Sequence, residues 1–229
     1  MTYYRTLPQF MTSAELWRIM KPNVLNFGLG VLLKIFRIEL PCQHGLAYGQ
    51  VQPVEFSKVD PAIHDQYERE KSQLEQLCFT PLYAVDFPMV GDGISQCLVY
   101  ISEDRTTHAA LIYSKLRHRD SEELCSGLAM ASFSGNLEEV EIVSTTNLPK
   151  EIDTNPLIAR NFIKEVDVGA FYKAHLEYRN QMQKSYLSIE SQDHAFALFE
   201  EAEKLDTEYL LSRNVIRPLS LEEIDEIED

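Results

Sequence analysis

The side chains in this chain that could do acid–base chemistry are few and scattered. Asp104 and His108 stand four residues apart, and His118 and Asp120 stand two apart. Each pair sets a carboxylate near an imidazole, as a general acid–base couple requires. A carboxylate beside a histidine is equally an ordinary surface pair. If residues 107–116 form a strand, at about 3.3 Å per residue, the two histidines lie roughly 30 Å apart and share neither a proton nor a metal. His118-Arg119-Asp120 spells the opening of a protein-kinase catalytic loop, but Cys125 stands where that motif needs asparagine and no Asp-Phe-Gly follows. A charged hairpin loop explains the triplet. His175 shares a helical stripe with Phe171, Tyr178 and Met182. A histidine so placed either sits in the core or lines a cleft between helix and sheet, with Tyr178 and Tyr113 as companions. The catalytic candidates are His108, His118, Asp120 and His175. The candidate ligand pocket is Tyr113, His175 and Tyr178.

Other signatures are incomplete. Gly28-x-Gly30 has neither the preceding strand nor the third glycine of a dinucleotide loop. Gly-x-Ser-x-Gly is absent. Cys42-x-His44 supplies two ligands where a closed zinc site wants four. Cys42, Cys78, Cys97 and Cys125 are widely spaced and read as free thiols in a reducing compartment. No metal and no cofactor is expected.

Charge divides the chain more sharply than any motif. Residues 1–41 carry five basic side chains (Arg5, Arg18, Lys21, Lys34, Arg37) against Glu15 and Glu39. The rest carries 16 basic and 34 acidic side chains, a net of −18. An overall charge of −15 argues against nucleic acid, whose binding depends on clustered Lys and Arg. The basic head also contains the most apolar stretch. In Val24–Leu40, Asn26, Gly30, Lys34 and Arg37 continue a polar stripe from Asn23, and Val, Leu, Ile and Phe cover the remainder. A face that wide needs shelter, either against the body or against something outside it. Leu25, Leu29, Leu32 and Phe36, with Lys34 and Arg37 reaching toward headgroups, form the candidate membrane or partner surface. As a helix, 17 residues reach about 25 Å, short of a hydrocarbon core of about 30 Å. No secretory signal is evident. The expectation is a cytoplasmic protein, peripheral at a membrane if the head docks there.

The elements that must position these residues follow from local signals. Ser13, Asp60, Asp167, Ser191 and Ser220 are placed to cap helices, the last in a Ser-x-x-Glu box with Glu223. Between them, 82–87, 95–101, 107–116, 125–133 and 140–145 are rich in strand formers and separated by short turns. Such connections cannot hold crossover helices, so the strands form an antiparallel meander. In 107–116 both alternating sets are apolar, which requires cover on both faces. Residues 117–124 read as an exposed charged loop, and 148–164 as a proline-broken link.

Leu74-Glu75-Gln76-Leu77-Cys78-Phe79 approximates a Leu-x-x-Leu-Gly-Phe pattern, with Cys78 in place of the glycine. With the apolar N-terminal helix, the closing Ser144-Thr145-Thr146-Asn147 and the later Ala174-His175, it resembles a family of bacterial proteins over residues 20–180. That resemblance implies element order and no activity. The expected fold is α+β: a five-stranded antiparallel sheet flanked by helices, with an amphipathic N-terminal helical segment. The divisions are 1–41 head, 42–60 connection, 61–216 α+β domain and 217–229 acidic C-terminal helix or tail. The leading expectation for function is a non-catalytic ligand-binding or protein-interaction module, with residues 22–40 as the surface for a membrane or partner protein. A homo-oligomer is one form this takes. The alternative is a small-molecule enzyme using hydrolase-like acid–base chemistry in a sheet–helix pocket.

Overall fold

The computed structural model describes residues 1–20, 24–37, 45–46, 50–118, 121–136, 140–148, 152–164 and 167–228. The fold is α+β. The strands are β1 (Tyr4–Thr6), β2 (Gly45–Leu46), β3 (Gln52–Val54), β4 (Thr80–Asp86), β5 (Met89–Val90), β6 (Gly93–Ile101), β7 (His108–His118), β8 (Ser121–Gly135), β9 (Val140–Thr146), β10 (Ile158–Phe162) and β11 (Ile216–Pro218). The helices are α1 (Ser13–Met20), α2 (Val24–Phe36), α3 (Pro61–Gln66), α4 (Glu68–Gln76), α5 (Val168–Gln181), α6 (Gln192–Ser212) and α7 (Leu221–Glu228).

The main sheet has seven strands in the order β10-β9-β8-β7-β6-β4-β3. Its centre, β4-β6-β7-β8-β9, is an antiparallel meander. The sheet is larger than the five strands expected, and it is mixed. β10 adds in parallel beside β9 from within the proline-broken link, and β3 covers the other edge. Of the charged loop expected at 117–124, residues 117–118 and 121–124 are instead strand. β7 and β8 run on until His118 lies opposite Ser121, and Lys115 Nζ reaches Glu122 Oε1 across the pair at 3.0 Å. Opposite charges on neighbouring strands support such an extension.

Helices cover both faces, as the doubly apolar strands require. On one face Leu111, Tyr113, Leu128 and Met130 meet Ile63, Leu74 and Phe171 of α3, α4 and α5. On the other, Val85, Val99, Phe133 and Ile142 meet Ala195, Leu198 and Ala202 of α6. Tyr67 separates α3 from α4 and puts its hydroxyl into the β7–β8 seam. That hydroxyl donates to Ile112 O and accepts from Gly127 N–H at 2.7 Å.

The caps at Asp60, Asp167, Ser191 and Ser220 are made. In α1 the cap is Thr12, not Ser13. Glu15 N–H donates to Thr12 Oγ1, and Thr12 N–H donates to Glu15 Oε2. This box wins because Glu15 is fully buried and its carboxylate also takes Arg213 Nη2 at 2.6 Å and Asp153 N–H at 2.8 Å. A second sheet, β11-β1-β2-β5, stitches both ends of the chain to the hairpin beside β6. Glu223 of α7 clasps Arg5 and Arg217 across it. The head therefore belongs to the folded body.

Candidate functional site

The residues with chemical potential gather at one end of the main sheet, on both faces. Asp167 caps α5, whose inward positions Val168, Phe171 and His175 follow a helical stripe and are fully buried. His175 reaches two strands. Its Nε2 lies 3.1 Å from Ser132 Oγ on β8, and its Nδ1 lies 3.2 Å from Thr145 Oγ1 on β9. One turn further, Arg179 Nη1 donates to Thr106 Oγ1 at 2.7 Å, Thr107 Oγ1 at 3.1 Å and Ser132 Oγ at 3.4 Å. Its guanidinium stacks 4.3 Å from the Tyr186 ring centre. Burial, and then the charge of Arg179, bring the His175 imidazole down to about 4. Burial alone would raise the Asp104 carboxyl, but bonds from Ser102 and Thr106, aided by Arg179, hold it below its ordinary value.

A serine hydroxyl on a neutral imidazole, with a guanidinium at the same oxygen, has the parts of an activated nucleophile. Its setting gives it another role. Thr107, Ser132, Thr145 and His175 are all fully buried, so Ser132 Oγ is closed to solvent. Each polar group instead satisfies another across the interface of α5 and the sheet, as buried polar groups must.

His108 lies on the opposite face, under α6. It is buried between Tyr83 and Phe133, with ring centres 6.3 and 5.2 Å away. Burial, and secondarily His194, bring it down to about 4. Among the described residues its Nε2 and the Tyr83 hydroxyl have no hydrogen-bond partner. Asp104 bonds Ser102 and Thr106 rather than His108. Tyr113, six residues along β7 from Thr107 and so roughly 20 Å away, is not brought to His175. It packs against α3 and α4 instead. Tyr178 is half-buried on α5. The backbone of His118 ends β7 at the far tip; its side chain, Asp120, Cys42 and His44 lie outside the described residues. Among the described residues no group of three His, Cys, Asp or Glu could hold a metal. An open cleft of about 400 Å³ lies beside the β4–β6 hairpin, lined by Asp60, Asp86, Phe87, Met89 and Gln96 among others. Its polar floor is self-satisfied: Asp60 N–H donates to Gln96 Oε1, and Gln96 Nε2 donates to Asp86 Oδ1.

The head presents the opposite situation. Helix α2 rests on α1 and the turn at Pro8–Phe10. Gly30 and Leu33 are buried, and Lys34 turns inward to donate to Met11 O. Of the polar stripe, Gly30 and Lys34 therefore face the body, whereas Asn26 is exposed. Leu29 (53% exposed), Leu32 (50%) and Phe36 (67%) recur at spacings of three and four along the outer face, with Ile35 (65%) beside them. The Leu25 side chain lies outside the described residues, and Arg37 is exposed just past the helix end. Lys34 is spent inside rather than aimed outward. Trp17 on α1 is 43% exposed and stands edge-on to Phe27 of α2, centres 4.9 Å apart. Ile35 belongs to the apolar set that periodicity places beside the polar stripe of this helix. Trp17 had no signal beyond its neighbourhood. Among the described residues no helix is long and apolar enough to cross a membrane. No protein-family model, curated protein or solved structure matches this chain.

Proposed function

We propose that this protein is a non-catalytic interaction module whose docking element is the outer face of α2. One observation carries the reading: α2 buries Gly30 and Leu33 and turns Lys34 inward, while Leu29, Leu32, Ile35 and Phe36 stand half or more exposed. Leaving them wet forgoes stabilisation. Leu29, Leu32, Ile35 and Phe36 are half or more exposed, and covering the remainder of each would add about 1–2 kcal/mol. The largest apolar patch on a protein surface is often functional. The acid–base alternative finds its groups at Ser132, His175 and Arg179. Their closure inside a satisfied network supports a role in fastening α5 to the sheet.

The test is the double variant Leu32→Asn with Phe36→Asn in the full chain. The expected result is lost retention on an apolar chromatography matrix with an unchanged melting temperature. A melting temperature lowered by several degrees would mean that the face is packed in solution. Unchanged retention would mean that it is not the adhesive surface. Either result overturns the reading.

A further inference from the structure

We infer that the cleft beside the β4–β6 hairpin binds a small organic cation, an ammonium group on an apolar frame, and that Asp86 receives the charge. No residue of α2 lines this cleft, so the site is separate from the docking face. Its volume of about 400 Å³ is that of a small-molecule site, in which an apolar wall is joined by a few placed polar groups. Phe87, Met89 and Ile94 supply the wall. The Phe87 ring is held edge-on by Phe199 of α6, centres 6.2 Å apart, and Phe87 N–H donates to Ser95 O at 2.8 Å. The wall is therefore formed before anything binds.

One cross-strand pair sets the polar side. Asp86 and Gln96 stand opposite each other in the β4–β6 register. Gln96 Oε1 accepts from Asp60 N–H at 3.1 Å, which turns Nε2 of the same amide toward Asp86 Oδ1, also at 3.1 Å. These bonds fix the carboxylate and occupy only one of its oxygens. Asp86 is half-buried, and among the described residues Oδ2 has no partner and the group has no ion pair. The second carboxylate of the lining, Asp60, spends Oδ1 on Ala62 N–H at 2.8 Å. Lys58, the cation of the lining, is exposed and pairs with Glu55 Oε1 at 3.3 Å. An anion placed beside Asp86 would be repelled, and a cation there supplies the missing countercharge. A bare metal ion fits poorly, because among the described residues no third His, Cys, Asp or Glu joins the two aspartates. A cation carried on carbon uses both sides of the cleft, its frame along the wall and its charge at Oδ2.

The probe is phenethylammonium, with phenylethanol and phenylpropionate as uncharged and anionic counterparts of the same frame. Each is titrated at pH 7 into the isotope-labelled full-length protein. The backbone amides of Asp86, Phe87 and Gly93 and the side-chain amide of Gln96 are followed by nuclear magnetic resonance. The expected result is saturable shifts with phenethylammonium, roughly tenfold weaker binding of the alcohol, and no binding of the propionate. Asp86→Asn keeps an acceptor for Gln96 and removes the charge. It should weaken phenethylammonium roughly tenfold and leave the alcohol unchanged. Equal binding of the three probes would overturn the recognition of charge, as would an Asp86→Asn variant that binds phenethylammonium normally. No saturable shift with any probe would overturn the site. The three probes decide between these outcomes in the native protein, whether or not the variant folds.

Discussion

Acid should weaken this fold through two histidines on opposite faces of the same sheet end, and His108 allows the effect to be isolated. In the unfolded chain its imidazole takes a proton near 6.5; in the folded protein burial holds it down to about 4. Between those values the unfolded state binds more protons, so stability falls as pH falls from 6.5 to 4 and is unaffected by this group above 7. At about 1.4 kcal/mol per pK unit, the loss for His108 is about 2 kcal/mol at pH 5 and about 3 kcal/mol at pH 4. His175, brought to the same value, loses a similar amount. Glu203 on α6 acts in reverse. Burial, and then Asp206, raise its carboxyl to about 7, so acidification relieves it of an uncomfortable charge. A pH titration of the native protein alone therefore mixes opposing contributions. His108→Phe removes one of them. The new ring fits among Tyr83 and Phe133 and carries no unpartnered nitrogen. Urea unfolding of both proteins, followed by far-ultraviolet circular dichroism at pH 7 and pH 5, gives a double difference in which Glu203 and His175 cancel. The variant should lose about 2 kcal/mol less than the native protein between those pH values. Parallel losses would refute the placement of His108 as a neutral imidazole in an apolar cage.

The remaining expectations concern polar groups that cross between elements. Tyr67→Phe takes the acceptor from Gly127 N–H and a donor from Ile112 O, and should cost about 2 kcal/mol in urea unfolding with little change in helix content. Glu15→Ala leaves Arg213 without its buried partner and should cost about 3 kcal/mol at pH 7. Burial alone would raise the Glu15 carboxyl, but Arg213 and the Asp153 and Thr12 N–H groups outweigh it and bring it down to about 2, so the difference from the native protein should shrink as pH falls from 4.5 toward 2. Glu203→Gln should stabilise by about 2 kcal/mol at pH 8, allowing for partial solvent screening, and by little at pH 5; a destabilised variant at pH 8 would show that the carboxylate is welcome there.

What could be read in advance was local. Asp60, Asp167, Ser191 and Ser220 announce helix starts because a short polar side chain and the next backbone N–H groups lie within a few residues of one another. The five long strands announce themselves through dense strand formers between turns. The edge strands do not. β3 is Gln-Pro-Val, and β10 is Ile-Ala-Arg-Asn-Phe following Pro156; each becomes a strand through the neighbour it joins. The second sheet unites residues 4–6, 45–46, 89–90 and 216–218, and no local pattern links them. The same limit applies to the polar cluster. The stripe Phe171-His175 was visible, but its partners Ser132 and Thr145 lie 43 and 30 residues away in the chain. Periodicity found the polar stripe of α2 without its direction, because only the Met11 carbonyl, supplied by another segment, draws Lys34 inward.

The orientation of α2 is what gives the division between core and surface its functional meaning. Several buried polar groups are matched: Ser132 with His175, Arg179 with three hydroxyls, Glu15 with Arg213. Such matching rigidifies a fold and specifies one arrangement of its core. His108 Nε2 and the Tyr83 hydroxyl, without a partner among the described residues, are sealed under α6. The outer face of α2 is open and apolar, and it sits on a helix whose support does not depend on that face. α1 is held by the Thr12–Glu15 box and by Arg213, and β1 by β11 and Glu223. The outer positions of α2 can therefore serve a contact outside the molecule without the fold losing its own anchors. Leu29, Leu32, Ile35 and Phe36 are thus the positions at which substitution should leave the melting temperature unchanged if the docking reading proposed above holds.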